Sequence, residues 1–144
     1  FIEPFRLVVE RSTLQLDTGR AGSAPLRIGV ISDIQTSHVT DHERAAIRLL
    51  LEQQPDIILL AGDLFQGGYH EFEKELPALR ELHAPLQAPG GVFIVVGNTD
   101  STGSIRRVIE ELRFDSCTTR SRGLRRLLMR KGKTILFSER SFKY

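Results

Sequence analysis

The sequence predicts an α/β protein whose largely parallel sheet is flanked by helices in a layered arrangement. Three short apolar runs, at residues 27–32 (RIGVIS), 56–61 (DIILLA) and 91–96 (GVFIVV), are separated by stretches with helical periodicity. Strands that are apolar throughout are typical of a parallel sheet that is buried on both faces. A length of 144 residues and a hydrophobic fraction of 40% suit one globular unit with a substantial core.

The first predicted helix covers residues 41–54 and has clear signals at both ends. Thr40 followed by Glu43 forms a capping-box pattern at its start, and Pro55 ends it. Its apolar positions share one helical face: Ala46, Ile47, Leu50 and Leu51. A second helical stretch runs over residues 71–83 and is expected to be interrupted by Pro77. A third is predicted over residues 104–112.

The chain divides into three regions on composition and pattern. Residues 1–25 form a lead-in, in which the weak alternation at 5–10 and 13–17 predicts an edge hairpin. Residues 26–112 form the α/β core. Residues 113–144 form a basic tail.

The charge of the chain is concentrated in this tail. Residues 120–133 hold seven Arg and Lys and no acid, so the net charge of +2 minus these seven leaves −5 for the remainder. The body therefore does not have the charge of a nucleic-acid-binding domain. Three interpretations of the tail stay open: a basic amphipathic helix on an anionic membrane surface or a nucleic acid, a solvated tail, or the product of a truncation or reading-frame change.

The expected environment follows from what the sequence lacks. It contains no run of about 18 apolar residues and no signal-peptide pattern, and Cys117 is the only cysteine. We expect a soluble protein, cytoplasmic or peripheral to a membrane. Because the chain begins at Phe1, we also expect a fragment or truncated form.

Residues with oxygen ligands follow each of the three predicted strands. Asp33 and Gln35 follow the first, Asp63 follows the second, and Asn98 and Asp100 follow the third. In an open α/β sheet, ligands bind in the crevice beyond the carboxyl ends of the strands, so these side chains are expected to converge. At any one position, a local turn role is the more common explanation. Three such strand ends together favour a site.

The motifs SDIQ, GDLFQGG and GNTD resemble those of the calcineurin-like metallophosphoesterases over about residues 26–112. The resemblance implies that Asp33 binds a first metal ion, Asp63 bridges two ions and Asn98 binds the second. It also implies that Asp63, Asn98 and Asp100 take part in catalysis. The family's two later histidine motifs have no counterpart in this sequence, and residues 113–144 do not resemble the family's continuation. The resemblance therefore implies a fold that is incomplete at its C-terminus.

Two positions depart from the family pattern. Gln35 stands where the family has a metal-binding histidine, and an amide oxygen favours Mn or Mg over Zn, although Fe and Zn stay open. Thr99 stands where the family has a histidine that protonates the leaving alcohol. A hydroxyl does not titrate near neutral pH, so losing this acid costs about 10²–10⁴-fold if nothing replaces it.

The function implied by the resemblance is hydrolysis of a phosphate mono- or diester by a hydroxide held between two divalent ions. The implied partner is the phosphoester substrate. Two alternatives stay open: a catalytically silent fragment or scaffold of the same fold, and a binding module that acts through the basic tail. Of the four histidines, His38, His42 and His83 are expected to be exposed and polar, and His70 is nearer to the predicted crevice.

Overall fold

The computed structural model describes residues 6–15, 24–95, 97, 100 and the backbone of 115–116. The elements in chain order are β1 (Ile28–Ile31), α1 (Asp41–Glu52), β2 (Ile57–Leu60), α2 (Tyr69–His83), β3 (Val92–Ile94) and β4 (Asp115–Ser116). All strands pair in parallel, in the order β1-β2-β3-β4. The predicted α/β class with a parallel sheet is confirmed.

Helix α1 begins at the predicted capping box. The backbone N–H of Thr40 donates to Glu43 Oε2 at 2.7 Å, and the Thr40 hydroxyl accepts from the backbone N–H of His42 at 3.2 Å. Burial alone raises the pKa of Glu43, but the hydrogen bonds from Thr40, the backbone N–H of Glu43 and the nearby His42 together outweigh it and lower the pKa below its usual value. The helix ends at Glu52, slightly before the predicted end.

Helix α2 begins at Tyr69 and continues through Pro77 without a break. The predicted interruption is wrong because Pro77 is exposed, which leaves the missing helical hydrogen bond on the solvent side. The opposite side of the helix is buried at helical spacing by Phe72, Leu76, Leu79 and Leu82. Burial of this face holds the helix against the sheet.

Both helices cover the same face of the sheet. Alternate strand residues pack with the buried residues of α1 and α2 in the main core, namely Ile58, Leu60, Val92 and Ile94. Right-handed crossovers that all advance in one direction place their helices on one side, which explains this arrangement. The other face carries a smaller cluster around Ile57 and Phe93, and Ile28 and Val30 are exposed there.

The N-terminal prediction is wrong in the part that the structure describes. Residues 6–15 contain no strand, and the guanidinium of Arg11 instead donates to Gln53 Oε1 at 2.6 Å, beside the end of α1. Strand β4, by contrast, lies within the region predicted to be a basic tail. The predicted helix at 104–112, Cys117 and the basic run at 120–133 lie outside the described residues. Within the described ranges, no helix is long and apolar enough to cross a membrane.

Candidate metal centre

The loops that follow β1 and β2 are hydrogen-bonded to each other beyond the ends of the strands. The backbone N–H of Asp33 donates to the Gly62 carbonyl at 3.2 Å, and that of Gln35 donates to the Asp63 carbonyl at 2.9 Å. Thr36 and Phe65 then form a parallel bridge. These bonds continue the β1–β2 pairing into the loops, so Asp33, Gln35 and Asp63 lie at the same edge of the sheet, as predicted from the sequence.

Three residues of this edge have left-handed backbone conformations. The φ angles are 53° at Asp33, 41° at Gln35 and 53° at Asp63, and Gly62 has a φ of 88°. A non-glycine residue in this region costs about 1–3 kcal/mol unless the surroundings hold it there. Such strain occurs preferentially at functional sites, where it fixes the direction of a side chain.

A buried carboxylate holds the turn that contains Asp63. The Oδ2 atom of Asp100 accepts from the backbone N–H groups of Asp63 at 2.8 Å and Gly97 at 2.9 Å, while Oδ1 accepts from that of Leu64 at 2.9 Å. A longer contact of 3.5 Å joins Oδ1 to the backbone N–H of Phe65. Because a hydrogen bond to a charged group contributes about 1.5–3 kcal/mol, these bonds are large enough to offset the backbone strain at Asp63.

Gly97 lies directly against Asp63. A Cβ atom built at position 97 would overlap the carboxylate and the backbone nitrogen of Asp63, far inside van der Waals contact. The absence of a side chain therefore allows the loop after β3 to approach the Asp63 turn. Beyond its place in the GNTD motif, no role for Gly97 was predicted from the sequence. The signal that could have found it is a glycine immediately after a buried apolar strand.

The predicted site residues differ in their exposure to solvent and in whether the structure describes them. Asp33 and Gln35 are exposed, Asp63 and Asp100 are buried, and Asn98 lies outside the described residues, as does Thr99. Among residues 6–15, 24–95, 97 and 100, no three His, Cys, Asp or Glu side chains are grouped as metal ligands. The predicted ligand set contains only two residues of those types, and its other members, Gln35 and Asn98, are amides.

The histidines do not join Asp33 and Asp63 in a cluster within the described ranges. His38 is exposed, and its Nδ1 lies 3.4 Å from Oε2 of Glu75. The other oxygen of Glu75 accepts from the backbone N–H of Val39 at 2.7 Å, so α2 anchors the end of the β1 loop. The expectation that His83 is exposed is wrong, because its side chain is buried and its Nδ1 bonds the Leu79 carbonyl at 2.8 Å. Burial lowers the pKa of His83 more than this hydrogen bond raises it.

Comparisons with known proteins identify the family to which the chain that carries these residues belongs. The family model described as "Calcineurin-like phosphoesterase" matches residues 26–137, a range that includes all the predicted site residues. A Caenorhabditis elegans protein named as a metallophosphoesterase, F40B5.2, is 29% identical over 93 residues. That match covers 63% of this chain and 18% of the relative, so the chain spans less than a fifth of the relative's length. No solved structure matches significantly. Since the family model covers well over half of its residues, this chain belongs to the calcineurin-like phosphoesterase family.

Proposed function

We propose that the chain contributes the first part of a metal-dependent centre that hydrolyses phosphate mono- or diesters. The observation that carries this proposal is the pairing of the loops after β1 and β2, which brings Asp33 and Asp63 to one edge of the sheet. Family membership supports metal-dependent phosphoester chemistry in general. Both the class of substrate and the turnover of that substrate by this chain are proposed.

The residues at this edge suit divalent ions that prefer oxygen. Members of this family typically bind two such ions. Asp33, Gln35 and Asp63 offer carboxylate and amide oxygens, and Asn98 adds another amide in the sequence. Oxygen ligands favour Mg²⁺ and Mn²⁺, whereas Zn²⁺ is more often held by imidazole or thiolate. We therefore infer Mn²⁺ or Mg²⁺, with Asp63 shared between two positions, Asp33 and Gln35 at the first and Asn98 at the second.

Bound ions of this kind activate water as a nucleophile and neutralise charge on phosphoryl oxygens. In the proposed site, the protein residues would hold the ions and the substrate in fixed positions relative to each other. Asp63 is the central residue of the proposed site, because its turn contacts both the loop that follows β1 and the loop that follows β3. Thr99 supplies no proton near neutral pH, so an ester whose alcohol leaves without protonation is the preferred substrate. Aryl phosphates have such leaving groups.

The experiment that tests this function compares two aspartates that flank β2. Hydrolysis of bis(p-nitrophenyl) phosphate and p-nitrophenyl phosphate is measured with Mn²⁺, with Mg²⁺ and with chelator. Asp63→Asn is expected to lower kcat/KM by more than about 100-fold, exceeding the 10–100-fold typical of a residue that only supports a ligand. Asp56→Asn, at the other end of the strand, is the matched control and keeps its activity. Equal activity of Asp63→Asn and the wild-type protein would contradict the proposal.

A catalytically silent domain of the same fold is the second candidate. It is favoured by Gln35 and Thr99, which replace two functional histidines of the family pattern. This candidate predicts that the wild-type chain binds Mn²⁺ weakly or not at all and has no metal-dependent turnover, although circular dichroism shows a folded protein. Metal-dependent turnover that Asp63→Asn abolishes rules it out.

A further inference from the structure

We propose that Asp100 is a positioning residue, which fixes the backbone turn of Asp63 against the loop after β3. Its catalytic consequence rests on the proposed function, whereas the arrangement of the backbone is independent of it. The role differs from the one implied by the resemblance, in which Asp100 takes part in catalysis. It requires no titratable group at position 99.

The carboxylate of Asp100 is already engaged by backbone donors on both oxygens. Oδ2 receives hydrogen bonds from Asp63 and Gly97, and Oδ1 receives one from Leu64. The side chain is buried, so these bonds form away from bulk water, where electrostatic interactions are stronger. A carboxylate that is oriented in this way from two loops is poorly placed to bind a metal ion as well.

The donors form a small anion-binding concavity at the end of β2. Successive backbone N–H groups beside a left-handed residue make a nest that favours negative charge, and here the N–H groups of Asp63 and Leu64 point at one carboxylate. Without that charge, adjacent N–H groups would lie buried without compensation. Asp100 therefore selects the left-handed conformation that directs the Asp63 side chain.

The same carboxylate joins two strand ends. Asp63 follows β2, and Gly97 follows β3, so one side chain bonds both loops. Gly97 has no room for a side chain beside Asp63, and the bond from its N–H to Asp100 maintains this close approach.

The first test measures amide hydrogen exchange in the metal-free 144-residue chain. In Asp100→Asn, one acceptor oxygen is replaced by an NH₂ group, so exchange at Asp63, Leu64 and Gly97 is expected to accelerate by about 10- to 100-fold. The amides of β2 serve as the internal reference. Leu79→Ala is the matched control, since it destabilises α2 without removing a hydrogen bond of the turn and is expected to change all protected amides together.

The second test measures Mn²⁺ affinity by titration calorimetry at a temperature where every variant is folded. Asp100→Asn is expected to weaken binding by about 10- to 100-fold, whereas Leu79→Ala is expected to leave it unchanged. A purely structural role would lower the unfolding temperature in both variants without this difference. If Asp100→Asn does not fold, Asp100→Glu, which keeps the charge but displaces it, replaces it in both tests.

The outcomes separate this inference from the proposed function. Unchanged exchange at Asp63, Leu64 and Gly97 in the Asp100 variant overturns the positioning role, as does exchange that follows the Leu79→Ala pattern. Wild-type binding of Mn²⁺ that Asp100→Asn leaves intact also overturns it. A wild-type chain that binds no Mn²⁺ overturns the proposed metal centre, and the exchange measurement then decides the positioning role alone.

Discussion

The two ends of β2 carry the same residue type with different structural consequences. At the beginning of the strand, the carboxylate of Asp56 accepts from the backbone N–H of Arg27 at 2.8 Å and fastens the start of β1. At the other end, Asp63 enters its network through the backbone, whose N–H donates to Asp100. The Asp56 side chain itself accepts the hydrogen bond that fastens β1. The Asp63 side chain is instead directed by its backbone turn, which the carboxylate of Asp100 holds.

Left-handed residues also differ between the two ends. Gln54 has a φ of 50°, but it immediately follows the cap of α1 and precedes Pro55, which is an ordinary way to end a helix. Asp33, Gln35 and Asp63 follow strands and end no helix. Their conformation belongs to the loops at the carboxyl edge, where the proposed metal centre lies, whereas that of Gln54 belongs to the end of a helix.

Among the variants that test the difference between the two ends of β2, Gly97→Ala is expected to have the largest effect on stability and metal affinity. The new methyl group would overlap the Asp63 carboxylate and backbone, so the two loops must separate. We expect a loss of stability of about 1–3 kcal/mol, as for overpacking, together with a fall in Mn²⁺ affinity of at least tenfold. Urea unfolding and titration calorimetry measure the two effects.

Gly68→Ala provides the matched glycine control. A Cβ atom at position 68 would approach only the carboxyl end of the Glu71 side chain, which can move aside. Its φ of −77° also suits alanine. If both variants bind Mn²⁺ as the wild-type protein does, the close approach of Gly97 to Asp63 has no part in metal binding.

A smaller effect, confined to stability, is expected for Asp56→Ala. The change removes the acceptor of the Arg27 N–H, which costs about 1 kcal/mol for a partly exposed hydrogen bond. Mn²⁺ affinity should stay at the wild-type value because the residue lies at the opposite end of the strand. The midpoint of urea unfolding and the metal titration check this, and a parallel loss of metal affinity would break the distinction between the two ends.

The smallest effect concerns the pH dependence contributed by His83, the last residue of α2. Burial lowers its folded pKa below the ordinary value of 6.5, so below pH 6.5 the unfolded chain binds more protons than the folded one. Stability from neutral His83 is therefore complete above pH 6.5 and declines as the pH falls below it. His83→Gln should flatten this decline in urea midpoints, while exposed His70→Gln should retain it. An unchanged slope in His83→Gln would contradict the assignment.

Sequence reasoning succeeded where a local pattern has a single physical solution. The capping box of Thr40 and Glu43 and the apolar runs of β1 and β2 correspond to the observed elements because neighbouring residues suffice to specify them. It failed at Pro77 and His83, where the outcome depends on which side of α2 faces the core. Weak alternation gave no strand within residues 6–15, since alternation without a partner does not specify pairing.

The sequence by itself determined the α/β class, the three strand ends and the family, because periodicity and short motifs are local properties of the chain. Only the tertiary structure decided how those ends meet. Asp63 and Asp100 are far apart in sequence, and nothing in either motif indicates that the second carboxylate binds the backbone of the first. The hydrogen bonds of a buried carboxylate are set by the donors that strand pairing brings to it, which is a property of the folded chain.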